Sequence, residues 1–283
     1  ENTERSEVVD KERDERIGAI FIEQAKILGK IDQFENDLKN KDLISVEESS
    51  LQTNINLAKD DYAKLQNELE QLGIVKLDVE ENNNFEINSL NGDFTHDNPG
   101  IFIYYDNQRN KYVAQYGGQW NNDAWKDDAE ASCGLNCGAT VNVGGSNAVG
   151  IFSLNAQIAV DYDYNFYTFD TNFNETNRSH NNLGEEFNTR GFAVKWQDVA
   201  YNQRSGSGAR NWYDYDSYRV LLWFYFDFVN DQSGNELQFK ADVAHTWSSA
   251  YVNSISFGPY SFGFGFNNAS HGWNKNWVGH IQF

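Results

Sequence analysis

Two stretches of the chain bring flat rings and oxygen-bearing side chains close together. Asn211-Trp212-Tyr213-Asp214-Tyr215-Asp216-Ser217-Tyr218 follows the Ser/Gly-rich Arg204-Ser205-Gly206-Ser207-Gly208, and Trp120 and Trp125 bracket Asn121, Asn122 and Asp123. Rings stack on the C–H faces of a sugar while carboxylates and amides bond its hydroxyls. Trp120, Trp125, Trp212, Tyr213, Asp214, Tyr215 and Asp216 are therefore candidate ligand-binding residues. The competing reading is that these rings close the ends of a β core. Asp161 with Asp163, or Asp214 with Asp216, offers hard oxygen ligands for calcium, although neither pair follows the twelve-residue loop pattern. No other cofactor is expected.

Catalytic signals are weak. The five histidines (His96, His180, His245, His271, His280) are scattered and sit in no metal or nucleophile motif. His245 falls on the apolar face of an alternating segment, the place of a hydrogen-bonded core residue rather than a base. Carboxylate pairs for glycoside hydrolysis could be assembled from many Asp and Glu, so they discriminate nothing. No glycine-rich loop opens a helix to cradle a phosphate. The expectation is a protein that is not an enzyme. Cys133 and Cys137, flanked by glycines in Ser-Cys-Gly-Leu-Asn-Cys-Gly, are expected to close a local disulfide in an oxidising compartment; two cysteines alone make no zinc site.

A formal net charge of -20 argues against nucleic acid and against an anionic membrane surface. Residues 1–80 hold 11 Lys/Arg against 20 Asp/Glu, yet only Phe21, Phe34 and Tyr62 of the 43 aromatics. The two parts of the chain must bury themselves by different means. There is no Met, and the opening Glu1-Asn2-Thr3 fits a chain from which a signal peptide has been removed; the expected location is secreted or cell-surface.

These residues have to be positioned by two kinds of element. Ile17, Ile20, Gln24, Ile27, Ile31, Phe34 and Leu38 recur at steps of three and four, as do Leu51, Ile55, Ala58, Tyr62, Leu65, Leu69 and Leu72. Each set is one seam of a helix. The first helix should end near Lys39, Ser45 with Glu48 should cap the second, and Gly73 should stop it. The short connection predicts an antiparallel helical hairpin (coiled coil) over residues 1–75, suited to spacing or self-association.

An acidic, Asn-rich linker over 76–98 leads to an aromatic β body over 99–283. It opens with Ile101–Tyr105 and Lys111–Tyr116 joined by a turn. Phe152–Thr168 alternates apolar and polar in one register, longer than an ordinary strand, and is expected to bend between two sheets. In Tyr218–Val229 both faces are apolar, which predicts a central strand covered on both sides. Further strands are expected at Gly191–Trp196, Glu236–Trp247, Val252–Phe257, Tyr260–Phe266 and Trp277–Phe283. The glycines alternating with Phe in Tyr260–Phe266 imply another backbone or a large ring lying close.

The fold class is α+β in two segments: the helical hairpin, then a mainly antiparallel sandwich or jelly-roll-like body. The expected function is that of a secreted or cell-surface, non-catalytic binding or scaffold protein. Its helices would serve spacing or self-association, and its β domain would contact a surface or glycan. The alternative is a membrane-active, toxin-like β-pore built from long amphipathic strands such as Phe152–Thr168 and residues 237–257. A membrane is a partner only under that alternative.

Overall fold

The computed structural model describes residues 2–40, 43–81, 93–122, 125–126, 140–176, 182–204, 211–247, 250–258, 261–269 and 272–282. Among the described residues two helices, α1 (Asn2–Asn40) and α2 (Ser45–Gln71), precede fourteen strands. These are β1 (Ile74–Leu77), β2 (Glu80–Glu81), β3 (Phe94–Asp106), β4 (Lys111–Trp120), β5 (Thr140–Ser153), β6 (Ile158–Phe169) and β7 (Asn182–Asn188). They continue with β8 (Gly191–Arg204), β9 (Asn211–Tyr215), β10 (Arg219–Phe228), β11 (Glu236–Thr246), β12 (Val252–Gly258), β13 (Ser261–Phe266) and β14 (Gly272–Gln282). The chain is α+β, with two helices followed by mostly antiparallel sheets.

It divides into two compact units. The first comprises residues 1–76 together with Tyr104–Asn110, the turn of the β3–β4 hairpin. Its helices run antiparallel, with Arg16 bonded to Glu68 through both ends of the guanidinium at 2.6 Å and Lys59 paired to Glu35 at 3.3 Å. Ile17, Ile20, Ile31, Ile55 and Leu69 are buried along the seam. Gln24, its polar member, is buried as well and reaches Gln66 at 3.5 Å.

The second helix is capped one residue earlier than the Ser45/Glu48 expectation. Ile44 is the N-cap, and the Glu47 carboxylate accepts its backbone N–H at 3.1 Å. Gly73 stops the helix at φ +83°, a conformation that costs other residues a steric penalty.

The centre of this unit is Arg13, 8% exposed. It donates Nη1 and Nη2 to the two oxygens of fully buried Asp106 (3.0 and 2.7 Å) and Nε to Leu72 O at 2.9 Å. Asp106 Oδ1 also accepts the backbone N–H groups of Gln108 and Arg109. One carboxylate thus shapes the β-turn and binds it to both helices.

The second unit is a sandwich. One sheet has the order β3-β4-β10-β6; the other has β2-β14-β11-β5-β8-β7, with β9 added on β8. Their facing sides share one core, to which β10 contributes Val220, Leu222, Phe224 and Phe226 and β11 contributes Leu237, Phe239, Ala241 and Val243. On the other face of β10, Leu221, Trp223 and Tyr225 are buried too, as the doubly apolar pattern required.

Phe152–Thr168 is not one strand. The chain leaves the larger sheet at Ser153, bends over 154–157 and enters the smaller sheet as β6. The bend changes the phase: Ile151 and Ile158 share the inter-sheet core, while Phe152 belongs to a separate cluster with Ala148, Ala193 and Ala244. The long-ribbon alternative for this segment is thereby replaced by two sandwich strands.

β12 and β13 form a two-stranded sheet of their own. Val252 and Phe264 lie in the Phe152 cluster, with Ile255, Phe257 and Phe266 packed beside them. Of the alternating glycines in β13, Gly265 answers to a serine rather than to a ring or a foreign backbone, and Gly263 has room for a Cβ. A Cβ on Gly265 would fall 2.3 Å from Ser254 Oγ, and one on Gly263 would lie 3.8 Å from Ser256 Oγ.

Candidate functional site: a buried polar chain beneath the β11–β12 bend

Asn147 on β5, Asp198 on β8 and His245 on β11 are neighbours across the inner face of the larger sheet, because β5 pairs with both other strands. All three are buried. Asn147 Nδ2 donates to Asp198 Oδ2 at 2.5 Å; its Oδ1 accepts from Thr246 N at 3.1 Å and lies 2.9 Å from His245 Nδ1. The Thr246 and Asp198 bonds fix which way the amide faces, so Nδ1 of His245 carries the proton. Trp196 Nε1 donates to Asp198 Oδ1, and Asp216 Oδ1 accepts Val199 N at 2.9 Å and Ser217 Oγ at 3.0 Å.

Burial, and after it the neighbouring Asp216 carboxylate, pushes Asp198 up to about 8; hydrogen bonds from Ser217, Trp196 and Asn147 oppose the rise. Asp242, two strand positions before Ala244, is pushed up to about 7 by burial against the opposing pull of Lys240 and Asn274. At the same end of the sandwich His96 Nδ1 lies 2.7 Å from the Tyr116 hydroxyl. Burial first and Lys275 second push His96 down to about 3. Arg219, fully buried, donates to Asp97 and to Gln119; Gly117 leaves the space, since a Cβ there would lie 2.1 Å from Asp97 Oδ2.

The chain continues into the bend that follows β11. Thr246 Oγ1 lies 2.8 Å from Ser146 O and 3.0 Å from Ala250 O, one proton facing two carbonyls, and Ser146 Oγ accepts Val252 N at 3.0 Å. A bulge in β5 makes the approach possible. The pairing with β8 shifts between Asn142 and Ser146, Gly144 has φ +62°, and a Cβ on Gly145 would fall 1.4 Å from Ala250 O. The side chains of Ser146, Asn147 and Thr246 thus hold the root of the β12–β13 hairpin.

Of the residues expected to bind a ligand, Trp120, Trp125 and Tyr215 are brought together. The two indoles stack at 5.6 Å, and Trp125 meets Tyr215 edge-on at 5.0 Å. Trp120 and Trp125 are only 5% and 2% exposed, and Trp120 lies 4.7 Å from the His245 ring. Their rings therefore close the core above the polar chain. Asp216 is buried and accepts from Val199 N and Ser217 Oγ. Trp212, Tyr213 and Asp214 belong to β9, paired opposite Gln203, Asn202 and Tyr201, and not to a loop. Asp161, one calcium candidate, has both oxygens 2.6 Å from Lys111 Nζ. Among the described residues no group of three or more His, Cys, Asp or Glu could hold a metal. Cys133 and Cys137 lie outside the described residues.

Asn147, Asp198 and Thr246 were not singled out from sequence. The signal for Asp198 was present: Phe192, Val194, Trp196 and Ala200 share its alternation phase, so a carboxylate stands on an apolar face. For Asn147 the signal was Gly144-Gly145 just before a β run.

No family model matches the chain, and no curated protein matches it. A chain of the solved structure "Complete structure of manganese lipoxygenase of Gaeumannomyces graminis and partial structure of zonadhesin of Komagataella pastoris" is similar at 7% identity. That match covers 74% of this chain and 85% of that one with a TM-score of 0.22, a likeness too low to carry an argument.

Proposed function

We propose that this chain is a secreted or cell-surface, non-catalytic protein that self-associates through its helical unit and makes surface contact through its β unit. The observation that carries the reading is the β12–β13 hairpin, which pairs with neither large sheet. It turns the exposed residues Asn253, Ser254 and Ser256 outward while its apolar residues cover Phe152. The groups that could do acid–base chemistry, Asp198, Asp216 and His245, are instead bonded within the sandwich. Self-association is supported by α2, which buries Ile55 and Leu69 yet leaves Val46 and Leu57 72% and 58% exposed. A second copy would cover them.

Light scattering on the intact chain, followed by co-sedimentation with insoluble glycans and with lipid vesicles, tests this reading. A mass that is a multiple of one chain, with retention on one of the surfaces, is expected. A monomer at all concentrations that pellets with neither surface overturns it. The intact chain is required, because removing the helices would strip Asp106 of Arg13.

A further inference from the structure

β11 and β14 pair without a shift from Glu236↔Gln282 to Thr246↔Gly272. The small hairpin between them begins at Val252↔Phe266, six residues on from Thr246 and six back from Gly272. Between the two ladders Tyr251 and Asn267 also stand opposite each other: Tyr251 N donates to Asn267 Oδ1 at 2.6 Å and Asn267 N to Tyr251 O at 3.1 Å. The two hairpins are therefore in step. Independent hairpins have no reason to share a register; a single ribbon folded over beyond β11 and β14 must share one.

The composition of the folded-over part is two-sided. Cross-strand pairs alternate between Val252/Phe266, Ile255/Phe264 and Phe257/Phe262 on one hand and Ser254/Gly265, Ser256/Gly263 and Gly258/Ser261 on the other, with one bulge at Asn253. No Asp, Glu, Lys or Arg occurs between Asp242 and Lys275, although 64 such residues stand in the 283 of the chain. Residues 250–258 and 261–269 supply nine positions per strand, about 30 Å at ~3.3 Å each. A transmembrane strand needs ~9–11 residues, apolar on the lipid side and small or polar on the other.

We propose that residues 250–258 and 261–269 are the two arms of a membrane-entering hairpin whose partner is the lipid bilayer. β12 then runs on from β11, and β13 runs on into β14, as one long ribbon. Val252, Ile255, Phe257, Phe264 and Phe266 then meet lipid, and the Ser/Gly side lines an aqueous lumen. A lone ribbon would leave its edges unbonded in hydrocarbon, so several copies must close it into a barrel. This rests on the self-association proposed above.

Among the described residues, departure breaks no ladder to the large sheets. The floor it uncovers is made mainly of the small Ala148, Ala193 and Ala244 beside Phe152. The bonds to be released include those of Ser146 and Thr246 at the root.

The test uses the full chain with Cys133 and Cys137 replaced by Ser, and adds Ser146→Cys with Val252→Cys to lock the root. Dye-loaded phosphatidylcholine/cholesterol vesicles are the probe. The unlocked chain is expected to release dye, and the oxidised locked chain at least tenfold more slowly, with recovery on reduction. In planar bilayers Ser256→Lys, at an exposed position, is expected to shift the reversal potential toward anions, whereas Asn230→Lys, exposed but outside the hairpin, leaves it unchanged. No release by the unlocked chain, or release indifferent to the lock, overturns the inference. A multimer that binds a glycan and leaves vesicles intact would remove this inference alone, and a monomer binding no surface would remove the earlier reading as well.

Discussion

Replacing Asn147 by Ala cuts three bonds at once. Thr246 N and His245 Nδ1–H lose their common acceptor, and Asp198 Oδ2 loses a donor. All three partners are buried, so bulk water does not take the place of the amide. A stranded buried polar group costs ~1–3 kcal/mol. A water admitted to the vacated volume would have three polar partners and would recover part of that. The net loss comes to about 3 kcal/mol, and at ~2–4 °C per kcal/mol for a unit of this size Tm should fall by about 6–12 °C.

The loss should also be local before it is global, because Asn147 Oδ1 holds the amide of Thr246 at the root of the β12–β13 hairpin. Hydrogen exchange followed by mass spectrometry should show residues 246–252 exchanging at least tenfold faster in the variant while the middle of β10 stays protected. A Tm within 2 °C of the parent, or equal acceleration across the sandwich, would refute the idea that this amide is the keystone of the bend.

Gly145→Ala places a Cβ 1.4 Å from Ala250 O, so the bend must move; the expected cost is ~1–3 kcal/mol, and limited proteolysis should nick within 247–271 sooner than in the parent. Asp198 has a folded pKa of about 8 against an unfolded ~3.9, so the stabilisation from holding its proton is complete below pH ~4 and is lost as pH rises through about 8. The Tm of the parent should therefore drop between pH 6 and 9. Asp198→Asn should flatten that drop but not abolish it, since Asp242 shifts in the same sense; an unchanged slope would contradict the assignment. In the helical unit, Arg13→Met leaves Asp106 buried without its cation, which should cost ~3–5 kcal/mol and show as an earlier loss of helical circular dichroism. An unshifted helical melt would show that the ion pair does not hold this unit.

The helices were legible because three-and-four spacing is a local signal that a seam must satisfy, and Gln24 could be marked as its weak position from type alone. The cap was misplaced by one residue because Glu47 and Glu48 can both reach back and sequence does not rank them. The turn at 104–110 could not be read as part of the helical unit, since what binds it is an Arg13–Asp106 pair 93 residues apart. Alternation found β10 and β11 with His245 on the inner side. It misjudged Phe152, because a four-residue bend restores the pattern while reversing the face. Asn211 and Asp214 are poor strand residues, yet pairing with β8 places them in β9 and overrides that local preference. The shared register of the two hairpins was invisible in sequence, because it depends on which strands pair.

Single cysteines carrying an environment-sensitive fluorophore, placed in turn at 252, 254, 255, 256, 257, 263, 264, 265 and 266 of the Cys133→Ser, Cys137→Ser chain, report on entry into the bilayer when vesicles are added. Blue-shifted, brighter emission is expected at 252, 255, 257, 264 and 266 and water-like emission at 254, 256, 263 and 265. Emission that changes at none of these positions, or changes without alternation, would contradict it.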